Sequence, residues 1–237
     1  MSCINQIDYQ NFKLFYKGDI SLLEKPKIAI VGTRKPSKYS REITSTLSKL
    51  LSQKYVIVSG GAMGIDAIAH QNAKSTIMVS PAGLDIIYPK INQKLIENIA
   101  NNHLIISEYE NGYKPRAYSF IERNRIVVGI SDFVIIIEAD ENSGSMRSAE
   151  IAIKQNKKIY TIPHRIGESK GTNNLSLNNQ ADVIWDIEKF IKSLDIDKKT
   201  DEILDYNEAF RKYGDMLFEM ELNGEVEIRN GKVYFSH

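Results

Sequence analysis

The chain is poor in cysteine and histidine. Cys3 is the sole thiol in 237 residues, so no disulfide can close within the chain and no thiolate metal cluster can form. His70, His103, His164 and His237 are scattered, without the spacing of metal ligands. No apolar run approaches the roughly 20 residues that cross a bilayer. The longest, Phe133-Val134-Ile135-Ile136-Ile137, has the length of a strand. The start, Met1-Ser2-Cys3-Ile4-Asn5-Gln6, has neither a basic lead nor an apolar stretch, so no signal peptide is expected. These absences point to a reducing cytoplasm and away from membranes. Also missing are the Gly-x-Ser-x-Gly elbow, the His-Glu-x-x-His motif and a nucleophilic cysteine with a base. No catalytic residue, metal or cofactor is therefore expected, and the reading is of a non-enzymatic protein.

What is present is ordinary in bulk and uneven in detail. Hydrophobic residues make up 42% and charged residues 26%, close to globular averages. The length suits one sizeable domain with a small appendage. The net charge of +1 hides an asymmetry. Between Lys25 and Lys49 seven basic residues stand against one acid, Glu42. Between Asp195 and Glu227 eleven acids stand against four basic residues. Such asymmetry suggests different partners for the two regions, although an uneven solvated surface would look the same.

Short apolar runs alternate with helical patterns. Strands are predicted at 27–31, 55–59, 76–80, 104–107, 133–137, 158–162 and 182–185. They are continuous in Ile and Val, as strands covered on both faces require. Helices are predicted at 40–53, 64–74, 91–101, 120–129, 145–156 and 187–194. In the first of these, Ile43, Leu47, Leu50 and Leu51 fall at helical spacing. The alternation predicts an α/β fold, a doubly wound and mostly parallel sheet with helices on both faces. Ligands of such sheets bind at the carboxyl ends of the strands. Residues 1–24 read as a short extension with weak structure, 25–194 as the main domain and 195–200 as a polar linker. Residues 201–237 form a small unit: a helical stretch over 201–222, then short extended runs punctuated by Asn223-Gly224 and Asn230-Gly231. Asn-Gly between extended runs signals a hairpin, and a helix followed by a hairpin is the back half of a winged helix.

Several strand-to-helix loops carry phosphate-binding chemistry. In the first, Gly32 permits backbone approach, Thr33 offers a hydroxyl, Arg34 a planar donor fork and Lys35 a point charge. The second, Ser59-Gly60-Gly61-Ala62-Met63-Gly64, exposes backbone N–H groups before a helix, a ready anion site. It matches neither the dinucleotide fingerprint nor the P-loop. On the helix that follows, capping or packing suits Asp66 and His70 better than catalysis. Phe120, Arg123, Asn124 and Arg125 combine an aromatic with cations, the working pair for single strands. Arg123 and Arg125 diverge by roughly 200° on a helix, so one of them is left to bind something else, such as a buried carboxylate. Ser143, Gly144 and Ser145 open another helix and offer N–H and hydroxyl donors, while the neighbouring Glu138, Asp140 and Glu141 suit capping or an arginine. Lys170 lies in a loop, 169–174, expected to be flexible.

Taken together, the ordered motifs resemble the DprA/Smf family. They are Ile28-Ala29-Ile30-Val31-Gly32-Thr33-Arg34, Ser59 through Asp66, Pro81-Ala82-Gly83-Leu84-Asp85 with Tyr88-Pro89, Ile106-Ser107-Glu108, Phe120 through Arg125, Glu138-Ala139, Ser143-Gly144-Ser145 and Lys170 through Leu175. The resemblance implies an extended Rossmann-like core that binds single-stranded DNA, protects it, dimerises and takes part in natural transformation. It further implies loading of RecA recombinase, with displacement or bypass of single-strand-binding protein. The family's groove maps onto Thr33, Arg34, Lys35, Gly60, Gly61, Phe120, Arg123 and Asn124. The chain departs from the family pattern at Tyr39-Ser40, at Met146-Arg147-Ser148-Ala149 and at Pro163-His164. Residues 201–237 resemble the family's winged-helix-like tail. Their acidity repels phosphate, which predicts a protein-interaction or regulatory role. An alternative reading is a nucleotide phosphoribohydrolase of the lysine-decarboxylase-like group. Against it, Gly144 is isolated and Glu150 stands at the wrong distance from Ser145. A third reading is a scaffold that binds another protein, its basic loops incidental.

Overall fold

The run Lys-Ile-Ala-Ile-Val forms a strand buried along its whole length, and the rest of the core is built outward from it. The computed structural model describes residues 4–196, 203–223 and 226–235. The chain divides into two compact units, Met1–Trp185 and Asp186–His237.

In the first unit the strands are β1 (Asn5–Tyr9), β2 (Phe12–Gly18), β3 (Lys27–Val31), β4 (Val56–Ser59), β5 (Thr76–Val79), β6 (Leu104–Ser107), β7 (Phe133–Ile136), β8 (Ile159–Thr161) and β9 (Asp182–Val183). The helices are α1 (Lys38–Leu51), α2 (Ile65–Asn72), α3 (Gln93–Asn102), α4 (Ala117–Gly129), α5 (Gly144–Lys154) and α6 (Lys170–Leu177). The strands form one sheet in the order β1-β2-β6-β5-β4-β3-β7-β8-β9. From β6 to β9 every pairing is parallel, as the continuous apolar runs predict. The chain winds outward from β3 through β4 and β5 to β6, then returns to place β7 beside β3. The order reverses there, and a crevice opens at the carboxyl ends of β3 and β7.

Alternate residues of each strand serve opposite faces. Ala29, Val31, Val58, Val79, Val134 and Ile136 pack with Ile126, Val127 and Val128 of α4 and with Ala149 and Ala152 of α5. On the other face Met78 and Ile105 pack with Ile96, Ile99 and Ala100 of α3. α1 and α2 pack on each other, as α4 and α5 do.

Residues 1–24 differ from expectation. Residues 5–18 form a hairpin, β1 and β2, that extends the sheet by pairing antiparallel with β6. Leu14, Leu22 and Leu23 are buried, and Tyr9 Oη donates to Leu23 O at 2.7 Å. Apart from Leu14 the hairpin's described residues are half-buried or exposed, so it lacks the apolar run of a central strand. Its turn uses Gln10 at φ 52 rather than a glycine. The loop expected at 169–174 is likewise the start of α6. Ser169 Oγ accepts from Ala139 N at 2.9 Å and Gly171 N donates to Ala139 O at 2.9 Å, which docks the helix on the end of β7.

The second unit begins earlier than expected, with α7 (Ile187–Ile196) inside it. It continues with β10 (Ile203–Asp205), α8 (Tyr206–Tyr213), α9 (Met216–Leu222), β11 (Val226–Arg229) and β12 (Lys232–Phe235). The three strands form an antiparallel sheet, β10-β12-β11, around Ala209, Leu217, Val226 and Val233. The single helix expected over 201–222 is a strand and two helices, because Asp205 caps α8 and Gly214, at φ 57, ends it. The Asn230-Gly231 hairpin forms as expected, with φ 51 and 71. Most of the proposed linker, and Gly224 of the other Asn-Gly pair, lie outside the described residues.

Candidate nucleic-acid interface

The loop after β3 is tied on both sides. Thr33 N donates to Glu138 O at 2.8 Å, beyond β7, and Ile65 N donates to Thr33 O at 3.2 Å. Gly32 lies so close to α2 that a Cβ there would sit 2.6 Å from Ile65 Cγ1. Ser37 caps α1, and its N and Oγ each donate to the Glu138 carboxylate at 3.0 Å. This answers the question of that acid: Glu138 pins the loop. Arg34 and Lys35 are left exposed at the strand end. The Arg34 guanidinium lies over the Phe120 ring, 5.8 Å from its centroid.

The glycine-rich loop after β4 closes over a buried charge. Arg123 is 6% exposed. Its Nη1 donates to Gly60 O and, at 3.1 Å, to Val79 O. Asp66 is buried nearby and accepts from Ala62 N at 3.3 Å. Burial pushes the Asp66 carboxyl above the usual carboxylate range, and the Arg123 charge opposes that rise. Burial also lowers the Arg123 pKa, against the pull of Asp66. Arg123 is thus the arginine that turns inward, bonded to backbone carbonyls and close enough to buried Asp66 for the two charges to interact. His70, also on α2, is fully buried, and burial lowers its pKa to about 3. Thr76 Oγ1 gives its one proton to Ile57 O at 2.7 Å, so His70 Nδ1, 2.6 Å from that hydroxyl, is the donor, and with a pKa of about 3 the ring is neutral near pH 7.

The remaining wall comes from α4 and α5. Asn124 Nδ2 donates to Gly144 O at 3.1 Å, which fixes the start of α5 against α4. Ser143 caps α5 through Met146 N at 3.4 Å. Gly144 is exposed and Ser145 half-buried at that amino terminus. The dipole and the first N–H groups of α5 favour an anion there.

These elements enclose a cleft of about 610 Å³ at the topological switch point. It brings together Gly32, Thr33, Arg34, Lys35, Gly60, Ala62, Phe120, Arg123, Asn124, Ser143, Gly144 and Ser145. Four other predicted site residues lie elsewhere. Ser59 is buried and donates to Ile30 O at 2.6 Å. Gly61 backs onto Met78 at φ 73. Arg125 turns away from the cleft to the Glu108 carboxylate, 2.6 Å from Oε1, and lies over Phe12. Lys170 lines an adjoining hollow with Glu141 and Asn142, which shares Asp140 and Ser143 with the cleft. The cleft also takes in Ile121, Val127 and Ser148, along with Val31 and the acids Asp66, Glu138 and Asp140. An adjoining hollow adds Tyr88, whose ring stands 5.4 Å from that of Phe120. Ile121, Val127, Ser148 and Tyr88 carry no local phosphate-binding signal and are found only through the fold. Among the described residues no group of three or more His, Cys, Asp or Glu is placed to hold a metal ion, and no helix is long and apolar enough to cross a membrane.

The model of the family "DNA recombination-mediator protein A" matches residues 2–195. The DNA processing protein DprA of Streptococcus pneumoniae is 42% identical over 168 residues, 68% of this chain and 60% of that protein. The DNA processing protein DprA of Bacillus subtilis is 38% identical over 188 residues, 76% of this chain and 63% of that protein. The chain therefore spans somewhat under two thirds of the length of these relatives. A structure of DNA processing protein A from Helicobacter pylori, described for its single-stranded DNA binding mode, shares 50% identity with a TM-score of 0.77. That match covers 78% of this chain and 87% of the other. Family-model match, identity and fold agree: the chain belongs to the DNA recombination-mediator protein A family, the DprA/Smf proteins.

Proposed function

We propose that the cleft binds the backbone of single-stranded DNA and that the protein acts as a recombination mediator in natural transformation. It would protect incoming strands and deliver them to RecA recombinase in the cytoplasm, without chemistry of its own. One observation carries the reading: Arg34, its guanidinium over the Phe120 ring, lines the switch-point cleft together with the amino terminus of α5. A cation, an aromatic platform and a helix amino terminus are what a single strand needs, with phosphates gripped and bases stacked. The 50% identity to a protein described for single-stranded DNA binding supports it. The phosphoribohydrolase reading is not favoured, because Glu150 is spent on an exposed ion pair with Arg147 at 2.9 Å.

Pairing of two copies belongs to the same proposal, as does displacement or bypass of single-strand-binding protein. The second unit is assigned to protein contacts, on the strength of its acidity. Fluorescence anisotropy with an oligo-dT strand and with duplex of equal length tests the proposal. Tight binding of the single strand and weak binding of the duplex support it. No binding of the single strand at moderate salt contradicts it. Light scattering of the free protein reads the pairing.

A further inference from the structure

The segment before α4 holds a cluster of aromatic side chains that the cleft does not use. Tyr109 and Tyr113 stack with centroids 4.0 Å apart and planes 6° apart. Tyr109 Oη donates to the Glu122 carboxylate. Tyr113 Oη donates to Tyr118 Oη at 2.7 Å. The loop is tied to its neighbour as well: Gly83 N donates to Tyr113 O at 3.0 Å, and Gly112 N to both Asp85 carboxylate oxygens at 2.9 Å. All these bonds buttress one ring that faces solvent, Tyr118, which is 47% exposed.

An exposed ring beside a cation offers a face on which a base can stack, and its position suggests which base reaches it. Ile121, 52% exposed, lines the cleft and is the i+3 neighbour of Tyr118 on α4. The exposed Arg116 begins the same helix, with its guanidinium 5.9 Å from the Tyr113 ring, and Lys114 precedes it. Of the nearby acids, Glu108 is taken up by Arg125 and Glu122 by Tyr109, while Glu110 stays on the loop.

We propose that Tyr118, flanked by Arg116, is a second base-stacking station, so that a strand leaving the cleft over Ile121 continues onto this ring. The inference rests on the reading of the cleft as a single-strand site. Tyr118 accepts a hydrogen bond from Tyr113, itself stacked on Tyr109, so the ring is partly pre-organised and stacking on it loses less side-chain freedom. Because every base has a π-face, the station is indifferent to sequence.

Strand length separates the two stations. Full-length protein is titrated with oligo-dT of about 6 and about 20 nucleotides, lengths that bracket typical site sizes. The Tyr118→Ala variant weakens binding of the longer strand by about five-fold or more and leaves the shorter one unchanged. Tyr118→Phe keeps the ring and loses only the bond from Tyr113, so it retains most of the affinity, and Arg34→Ala weakens both strands. Three results overturn the proposal alone: Tyr118→Ala binds the longer strand like the parent, or weakens both lengths equally, or Tyr118→Phe behaves like Tyr118→Ala. If Arg34→Ala changes neither strand, the cleft reading fails and takes this one with it.

Discussion

Gly60 is held without a side chain by Arg123: a Cβ on Gly60 would lie 1.9 Å from Arg123 Nη1. The same guanidinium donates to the Gly60 carbonyl, so the glycine-rich loop is moulded on a buried arginine. Gly60→Ala must displace either the loop or the charge. The expected loss is about 1–3 kcal/mol of stability, read as a lowered urea midpoint. A midpoint equal to the parent's would show that the loop yields freely.

Buried, neutral His70 makes the fold sensitive to acid. Its folded pKa, lowered to about 3, lies below its unfolded value, which is about 6.5. The unfolded chain therefore takes up the proton first, and stability falls as pH drops from about 6.5 towards 3, by about 1.4 kcal/mol per unit within the window. Asp66 acts with the opposite sign: its raised pKa makes stability fall as pH rises through its folded value. That contribution cancels when the parent is compared with His70→Asn. The variant should show the shallower acid slope in urea melts at stepped pH, and superimposable slopes would refute the assignment.

Phe120 touches both Arg34 and Tyr88 at the cleft. Phe120→Ala is expected to weaken oligo-dT binding by about 1–3 kcal/mol, the usual worth of one stacked base. Phe120→Tyr, which keeps the ring, is expected to stay close to the parent. Equal loss in both would mean that the ring packs the fold and stacks no base.

Much of this was legible in the sequence because it follows from burial. The apolar runs at 27–31 and 104–107 give β3 and β6 at their observed bounds, since strands covered on both faces leave no other pattern. The edge hairpin at residues 5–18 was not legible. It has no continuous apolar run, its turn lacks glycine, and its pairing with β6 joins residues far apart in sequence. That Arg34, Phe120 and Gly144 line one cleft is seen in the fold, while their suitability for a nucleic-acid backbone could be named from residue chemistry. The fate of each arginine could be read only in part. A helix separates Arg123 from Arg125, but only the fold shows which one turns inward, to the Gly60 and Val79 carbonyls, and which meets Glu108. Tyr88 joins Phe120 through a loop some thirty residues earlier, a contact with no local signal.

The acidic second unit should be dispensable for strand binding. Deleting residues 200–237 is expected to leave oligo-dT affinity within about two-fold, or to raise it slightly by removing like charge. A large loss would place part of the DNA site there.

The central claim is that Arg34 neutralises a backbone phosphate in the cleft. Its most direct test is the salt dependence of oligo-dT binding by the parent and by Arg34→Ala. Each phosphate contact contributes about −0.7 to the slope of log affinity against log salt for single strands. The variant is expected to bind more weakly and to show a slope shallower by about 0.7. Two superimposable lines would show that Arg34 meets no phosphate, and would contradict the account.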